Sequence, residues 1–155
     1  MVTKITQTTD YELLARLNKH IHELHVTLYP ELFVTYNFEG IRESFKQLVM
    51  NENRAYLVLE DMGEALGYAC IEIIEYPEDT ITKERRSVLV HDLSIIEGQK
   101  RRGYGSHLMN HIYEIARSKE IDLIELSYFA NNEHASNFYN KQGFVDYRKI
   151  AYKKL

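Results

Sequence analysis

Gln99-Lys100-Arg101-Arg102-Gly103-Tyr104-Gly105-Ser106-His107-Leu108-Met109 is the stretch on which the reading of this chain turns. It follows a hydrophobic, strand-like run from Val88 to Ile96 and opens an amphipathic helix whose apolar residues are Leu108, Met109, Ile112, Ile115 and Ala116. A glycine-rich strand-to-helix turn leaves backbone N–H groups without helical partners and points a partial positive charge outward, which makes an anion site. Lys100, Arg101 and Arg102 bring three cations to the same place. The spacing excludes two common phosphate motifs. A Walker A loop needs Gly-Lys followed by Ser or Thr, and here Gly105 is followed directly by Ser106. A dinucleotide fingerprint needs a third glycine where this chain has Leu108, and it belongs at the start of a βαβ unit, not two-thirds of the way along.

Outward from the turn, the pattern predicts a mixed α/β (α+β) domain with helices packed on a central sheet. Val2–Gln7 alternates like a strand, and Thr9-Asp10-Tyr11-Glu12 reads as a capping box. A helix follows, carrying Leu13, Leu14, Leu17, Ile21 and Leu24 on one face until Tyr29-Pro30 breaks it. Ile41, Phe45, Leu48 and Val49 mark a second helix. Ala55–Glu60 and Leu66–Glu75 read as strands joined at Asp61-Met62-Gly63-Glu64, and Ser87–Ile96 as the long strand before the glycine turn. Ile121–Phe129 is a further strand and Glu133–Gln142 a short helix ending at Gly143. Phe144–Tyr147 and Lys149–Tyr152 look like terminal strands, giving the order βααβββαβαββ.

The 155 residues read as one domain, 1–155, with 45% hydrophobic and 27% charged residues, ordinary for a globular chain. A net charge of −4 argues against a nucleic-acid binder. One cysteine, Cys70, fits a buried strand position and a reducing compartment. With no signal-like N-terminus and no bilayer-spanning run, the expected location is the cytoplasm, away from membranes. His107 and His111, and His22 and His25, lack a third ligand at metal-binding spacing, so no metal is expected.

Two segments together resemble the GNAT superfamily of N-acetyltransferases, which use acetyl-coenzyme A. The first is Lys100-Arg101-Arg102-Gly103-Tyr104-Gly105, with lysine where the family usually has Gln or Arg. The second is Asn132-x-x-Ala135-x-x-x-Tyr139, ending in Gly143-Phe144. The resemblance implies a splayed, mostly antiparallel sheet with helices on both faces, the cofactor's pantetheine arm lying between strands 87–96 and 121–129. It places Leu93 and Ile95 where backbone groups pair with that arm, and the Leu93 N–H at the thioester carbonyl. Backbone N–H groups from Arg101 to Ser106 would hold the pyrophosphate, with the side chains of Lys100, Arg101 and Arg102 assisting there or reaching the 3′-phosphate. Asn132 would bond the pantetheine, cap the next helix, or both. Tyr139 matches the family's general acid. A phenol near ~10 donates to a thiolate near ~8.5 only with close approach.

The position matching the glutamate base of many relatives is Leu89. His91 follows on what alternation makes the same strand face as Leu89, Leu93 and Ile95, so it is either the base or a hydrogen-bonded structural histidine. Asp92 is expected on the opposite face. The acceptor pocket is expected from the first two helices, their connection and the 76–86 loop, where Tyr29, Phe33, Tyr36, Tyr76, Glu31, Glu75, Glu78 and Asp79 lie. The function implied is acetyl transfer to a primary amine of a small molecule by direct attack in a ternary complex. The expected partners are acetyl-CoA and that amine, with a homodimer allowed. The alternatives are a non-catalytic CoA-binding sensor or scaffold, and an enzyme acetylating a protein lysine or N-terminus.

Overall fold

A computed structural model describes residues 3–155. Its elements, in order, are β1 (Thr3–Gln7), α1 (Tyr11–Leu28), α2 (Phe38–Leu48), β2 (Arg54–Asp61), β3 (Glu64–Tyr76), β4 (Arg85–Ile95), α3 (Tyr104–Ser118), β5 (Ile124–Leu126) and α4 (Glu133–Lys141). The five strands form one sheet in sequence order. Every neighbouring pair is antiparallel except β4 with β5. Val2, at the start of the first predicted strand, lies outside the described residues.

Side-chain alternation divides the core between the two faces of the sheet. Leu57, Leu59, Ala69, Ile71, Val88 and Val90 pack under α3 with Leu108, Met109, Ile112 and Ala116. Tyr56, Val58, Tyr68 and Cys70 pack on the other face under Leu14, Leu17 and Phe45 of α1 and α2. Cys70 is buried there, and burial pushes its thiol up to about 11, so it is a packing residue. The β2–β3 hairpin turns on Met62 and Gly63, both at positive φ (52° and 84°), which matches the right-handed strand twist. The first helix is capped one residue later than the predicted box: Asp10, not Thr9, accepts from Leu13 N at 3.0 Å.

Three corrections bear on the site. First, the strand expected over 121–129 shrinks to Ile124–Leu126, whose partners on β4 are Val88, Leu89 and Val90 only. From 91 to 95 the edge of β4 away from β3 has no strand beside it among the described residues.

Second, β4 is bulged. Cys70 pairs with Asp92 but Ile71 pairs with Val90, so His91 is an extra residue in the ladder. The bulge resets the alternation: Val88, Val90, Leu93 and Ile95 all pack on the α3 side. His91 therefore does not share a face with Leu93 and Ile95. Asp92, opposite Cys70, faces α1 and α2 along with His91, not away from it.

Third, the predicted terminal strands over 144–147 and 149–152 are absent. Phe144 packs on the core, but Val145, Tyr147, Ile150 and Tyr152 are between 75% and 87% exposed. The tail meets the β5 region through side chains, Tyr147 to Glu125 and Tyr128 to Asp146, and forms no backbone ladder with the free edge of β5.

Candidate active site

The turn from β4 to α3 explains its own glycines. Gly103 is the N-cap of α3 at φ +81°, a left-handed conformation costly for a side-chain-bearing residue. Gly105 lies against α4: an added Cβ would stand 3.1 and 3.2 Å from the Phe138 ring. The helix start is further pinned by Tyr104, whose hydroxyl donates to Asp61 Oδ2 at 2.7 Å. It is also held by Gln142, which donates to Ser106 Oγ at 3.2 Å and accepts from the Tyr113 hydroxyl at 2.8 Å.

α1, α2 and α4 each have a side chain at the N-cap that accepts a backbone N–H: Asp10, Asn37 and Asn132. α3 has none. Its first-turn N–H groups on Tyr104, Gly105 and Ser106 are left for an external acceptor, at the positive end of a 15-residue helix.

Those groups open into a cleft of about 560 Å³ that runs between α1, the end of β4, α3 and α4. Of the residues predicted from sequence, Leu93, Ile95, Lys100, Arg101, Gly103, Tyr104, Gly105, Ser106, Asn132 and Tyr139 line it. Arg102 and His91 do not. The cleft also takes in residues the sequence did not single out, including His20 on α1 and His134 on α4. Burial lowers the Lys100 ammonium, against the pull of Glu97, and burial together with Lys100 lowers both histidines. Lys100 and Arg101 nonetheless bring basic side chains to this end of the cleft, beside the α3 N–H groups.

At the inner end, Tyr139 is buried, stacked on Tyr128 at 5.6 Å and bordered edge-on by Phe138 and Phe144. Burial, with the nearby Asp92 charge adding to it, pushes its phenol up to about 12. It therefore holds its proton at neutral pH and can pass it only to a group in direct contact. Asn132 is confirmed as the α4 cap, accepting from Ala135 N at 3.1 Å.

On the α1 side of β4, His91 Nε2 lies 2.7 Å from Glu72 Oε1, and Arg54 Nε lies 3.4 Å from the same oxygen. A carboxylate on Nε2 fixes the proton there and leaves Nδ1 as the acceptor nitrogen. Glu72 and Arg54 are functional candidates that sequence reasoning missed, because only the β2–β3–β4 register brings them to His91.

The expected acceptor-pocket residues divide. Phe33 stacks on His25 at 5.0 Å, and both Phe33 and Tyr29 pack against Phe129. The Tyr29 hydroxyl also accepts from Asn131 N at 3.0 Å, tying the end of α1 to the segment after β5. The others are engaged elsewhere. Tyr36 donates to Ala15 O, and Tyr76 lies under the Arg85 guanidinium at 3.8 Å. Glu31 pairs with Lys154 and Glu75 with Arg86, while Asp79 accepts from its own loop at Ile81 and Thr82. Glu78 is exposed.

Among the described residues no group of three or more His, Cys, Asp or Glu side chains is placed to hold a metal ion. No described helix is long and apolar enough to cross a membrane.

Comparison with known proteins gives the same architecture. A family model for the acetyltransferase (GNAT) family matches residues 18–144. The crystal structure of a point mutant of the BH1408 protein from Bacillus halodurans superposes with a TM-score of 0.91 at 25% identity, covering 100% of this chain and 99% of that one. A transcriptional regulator from Bacillus halodurans C-125 gives 0.73 at 16% identity, covering 99% of each chain. An aminoglycoside acetyltransferase from an uncultured soil metagenomic sample gives 0.70 at 15% identity, covering 100% of this chain and 99% of its own. At those identities the last two show a shared fold alone. No curated protein matches the chain.

Proposed function

The chain belongs to the acetyltransferase (GNAT) family, and from that premise we propose that it transfers the acetyl group of acetyl-coenzyme A to a primary amine of a small molecule, by direct attack in a ternary complex. The observation that carries this reading is the uncapped start of α3, which opens into a cleft continuing along the unpaired edge of β4 to Tyr139. A diphosphate on the α3 N–H groups, with Lys100 and Arg101 beside it, places a pantetheine arm along residues 93–95. Its amides then bond the free edge of β4 much as an added strand would.

Each chemical step has a candidate group. The Leu93 N–H faces the thioester carbonyl and stabilises the negative charge that grows on its oxygen. The acceptor enters as an ammonium and gives a proton to His91 Nδ1, directly or through water, with Glu72 holding the ring. The amine nitrogen then bonds the carbonyl carbon and the C–S bond breaks. Tyr139 gives its proton to the departing sulfur and recovers one from the nitrogen as the amide forms. No nucleophilic cysteine sits in the cleft, since Cys70 is buried in the sheet.

The replacement of the usual glutamate by Leu89 favours a second reading, a module that binds CoA without turnover. Thiol release from acetyl-CoA with a panel of amines separates the two. Turnover with at least one amine supports the enzyme, whereas tight cofactor binding with no turnover on any acceptor supports the module. Transfer to a protein lysine or N-terminus would use the same cleft and is tested by adding peptides to the panel.

A further inference from the structure

The bulge in β4 does more than displace His91. It turns Asp92 onto the α1 side of the sheet, one residue before Leu93, at the point where β4 loses β5 as a neighbour. There Asp92 lies opposite Cys70 and close to Tyr68, whose hydroxyl accepts from Asn18 Nδ2 at 2.9 Å. Asn18 Oδ1 is itself buried without a hydrogen-bond partner. The charged groups around Asp92 are already committed: His91 Nε2 and Arg54 Nε both lie on Glu72, at 2.7 and 3.4 Å. Among the described residues none forms an ion pair or side-chain hydrogen bond with the Asp92 carboxylate, although it keeps partial access to the surface. A largely desolvated carboxylate with open valence is costly unless a donor arrives to satisfy it. Burial accordingly raises the Asp92 carboxyl above the usual carboxylate range, against the pull of His91 and Arg54.

We infer that Asp92 is the docking group for the acceptor's ammonium, so that the acceptor is a cationic amine reaching the thioester from the α1–α2 side of the open β4 edge. The placement suits the chemistry of transfer. The ammonium is held beside His91, which takes its proton, and next to the Leu93 amide that faces the thioester carbonyl. Asp92 makes the approach to the thioester selective for an acceptor that arrives charged. Cys70, Tyr68 and Tyr139, the other titratable neighbours, are neutral at pH 7 because burial raises all three. They do not compete with the ammonium for the carboxylate.

This inference rests on the acetyltransferase reading, and kinetics of Asp92→Asn tests the two separately. Wild type and variant are assayed with spermidine, lysine, tyramine and kanamycin, with acetyl-CoA affinity measured alongside. Loss of one hydrogen bond to a charged group predicts an amine KM raised about ten- to a hundred-fold, with kcat within a few-fold and acetyl-CoA affinity unchanged. The deficit should narrow toward pH ~10, where the amine is losing its charge. An unchanged amine KM, or a deficit independent of pH, overturns the inference and leaves the acetyltransferase reading standing. Failure of wild type to acetylate any amine while it binds acetyl-CoA overturns both. Should the variant not fold, a carboxyl ¹³C titration of wild type decides: spermidine must lower the Asp92 titration midpoint, and an unmoved midpoint is contrary.

Discussion

Replacing Gly103 with alanine separates the backbone geometry of the turn from its chemistry. Nothing lies within 4 Å of a Cβ built on Gly103, so the change creates no clash, and its whole cost is the φ of +81°. A left-handed conformation costs a residue with a Cβ roughly 1–2 kcal/mol. At about 2–4 °C per kcal/mol for a chain of this size, the melting temperature should fall by roughly 2–8 °C. Gly98, in the same loop, is a matched control: its φ is +84°, it too has nothing within 4 Å, and it does not line the cleft. Gly98→Ala should therefore cost similar stability. Binding distinguishes them. Relaxation of φ at the α3 N-cap swings the Tyr104 and Gly105 N–H groups off a bound phosphate. Loss of one charge-assisted bond weakens acetyl-CoA by about 10- to 100-fold. Gly98→Ala should stay within about two-fold of wild type. The assays are thermal denaturation and calorimetric titration with acetyl-CoA. If Gly103→Ala loses stability but binds like wild type, or both variants lose affinity equally, the α3 N-terminus is not the phosphate site.

Four further changes follow from particular contacts. Tyr139→Phe removes a proton donor but keeps the ring packed on Tyr128, so steady-state kinetics should show kcat down about 100-fold or more with acetyl-CoA affinity unchanged. Glu72→Gln, which keeps shape and loses the charge that orients His91, should lower kcat about ten-fold or more. A calorimetric titration should show unchanged cofactor binding in that variant. Ile112→Ala, in the fully buried stripe of α3, should cost about 2–5 kcal/mol by urea titration. Tyr147→Phe tests the buried Glu125 carboxylate, which burial alone would raise but which the hydrogen bond from Tyr147 and the Arg85 charge hold below the usual range. A depressed carboxyl stabilises the fold above its unfolded pKa, near ~4.3, and that contribution is lost as pH falls through the folded value. Wild type should therefore melt higher than the variant at pH 7, with the gap closing below about pH 4.

What the sequence disclosed was local. The glycines at 103 and 105, the apolar stripe of α3 and the Asn132 cap depend on near neighbours in the chain, and each sits where its spacing predicted. What it concealed depends on partners far along the chain. Alternation along β4 assumes an unbroken pleat, but the bulge at His91 arises in the pairing with Cys70 and Ile71 of β3. One extra residue there moved His91 and Asp92 to positions that period-two counting could not assign. Glu72 and Arg54 were invisible for the same reason, since an ion pair across three strands exists only once register is set. The tail misled in the opposite way. Val145, Tyr147, Ile150 and Tyr152 carry strand-forming side chains, but a strand is a relation between two edges.

Amide resonances of the ¹⁵N-labelled protein, followed as acetyl-CoA is added, test most directly whether the α3 start and the open β4 edge form one cofactor site. Saturable shifts should appear at Gly103–Ser106 and at Leu93–Ile95, and desulfo-CoA should reproduce them at the helix end. Shifts confined to the separate hollow lined by Arg16, Lys19, Glu23, Thr35, Tyr36 and Phe38, or no shifts at all on folded protein, would contradict it.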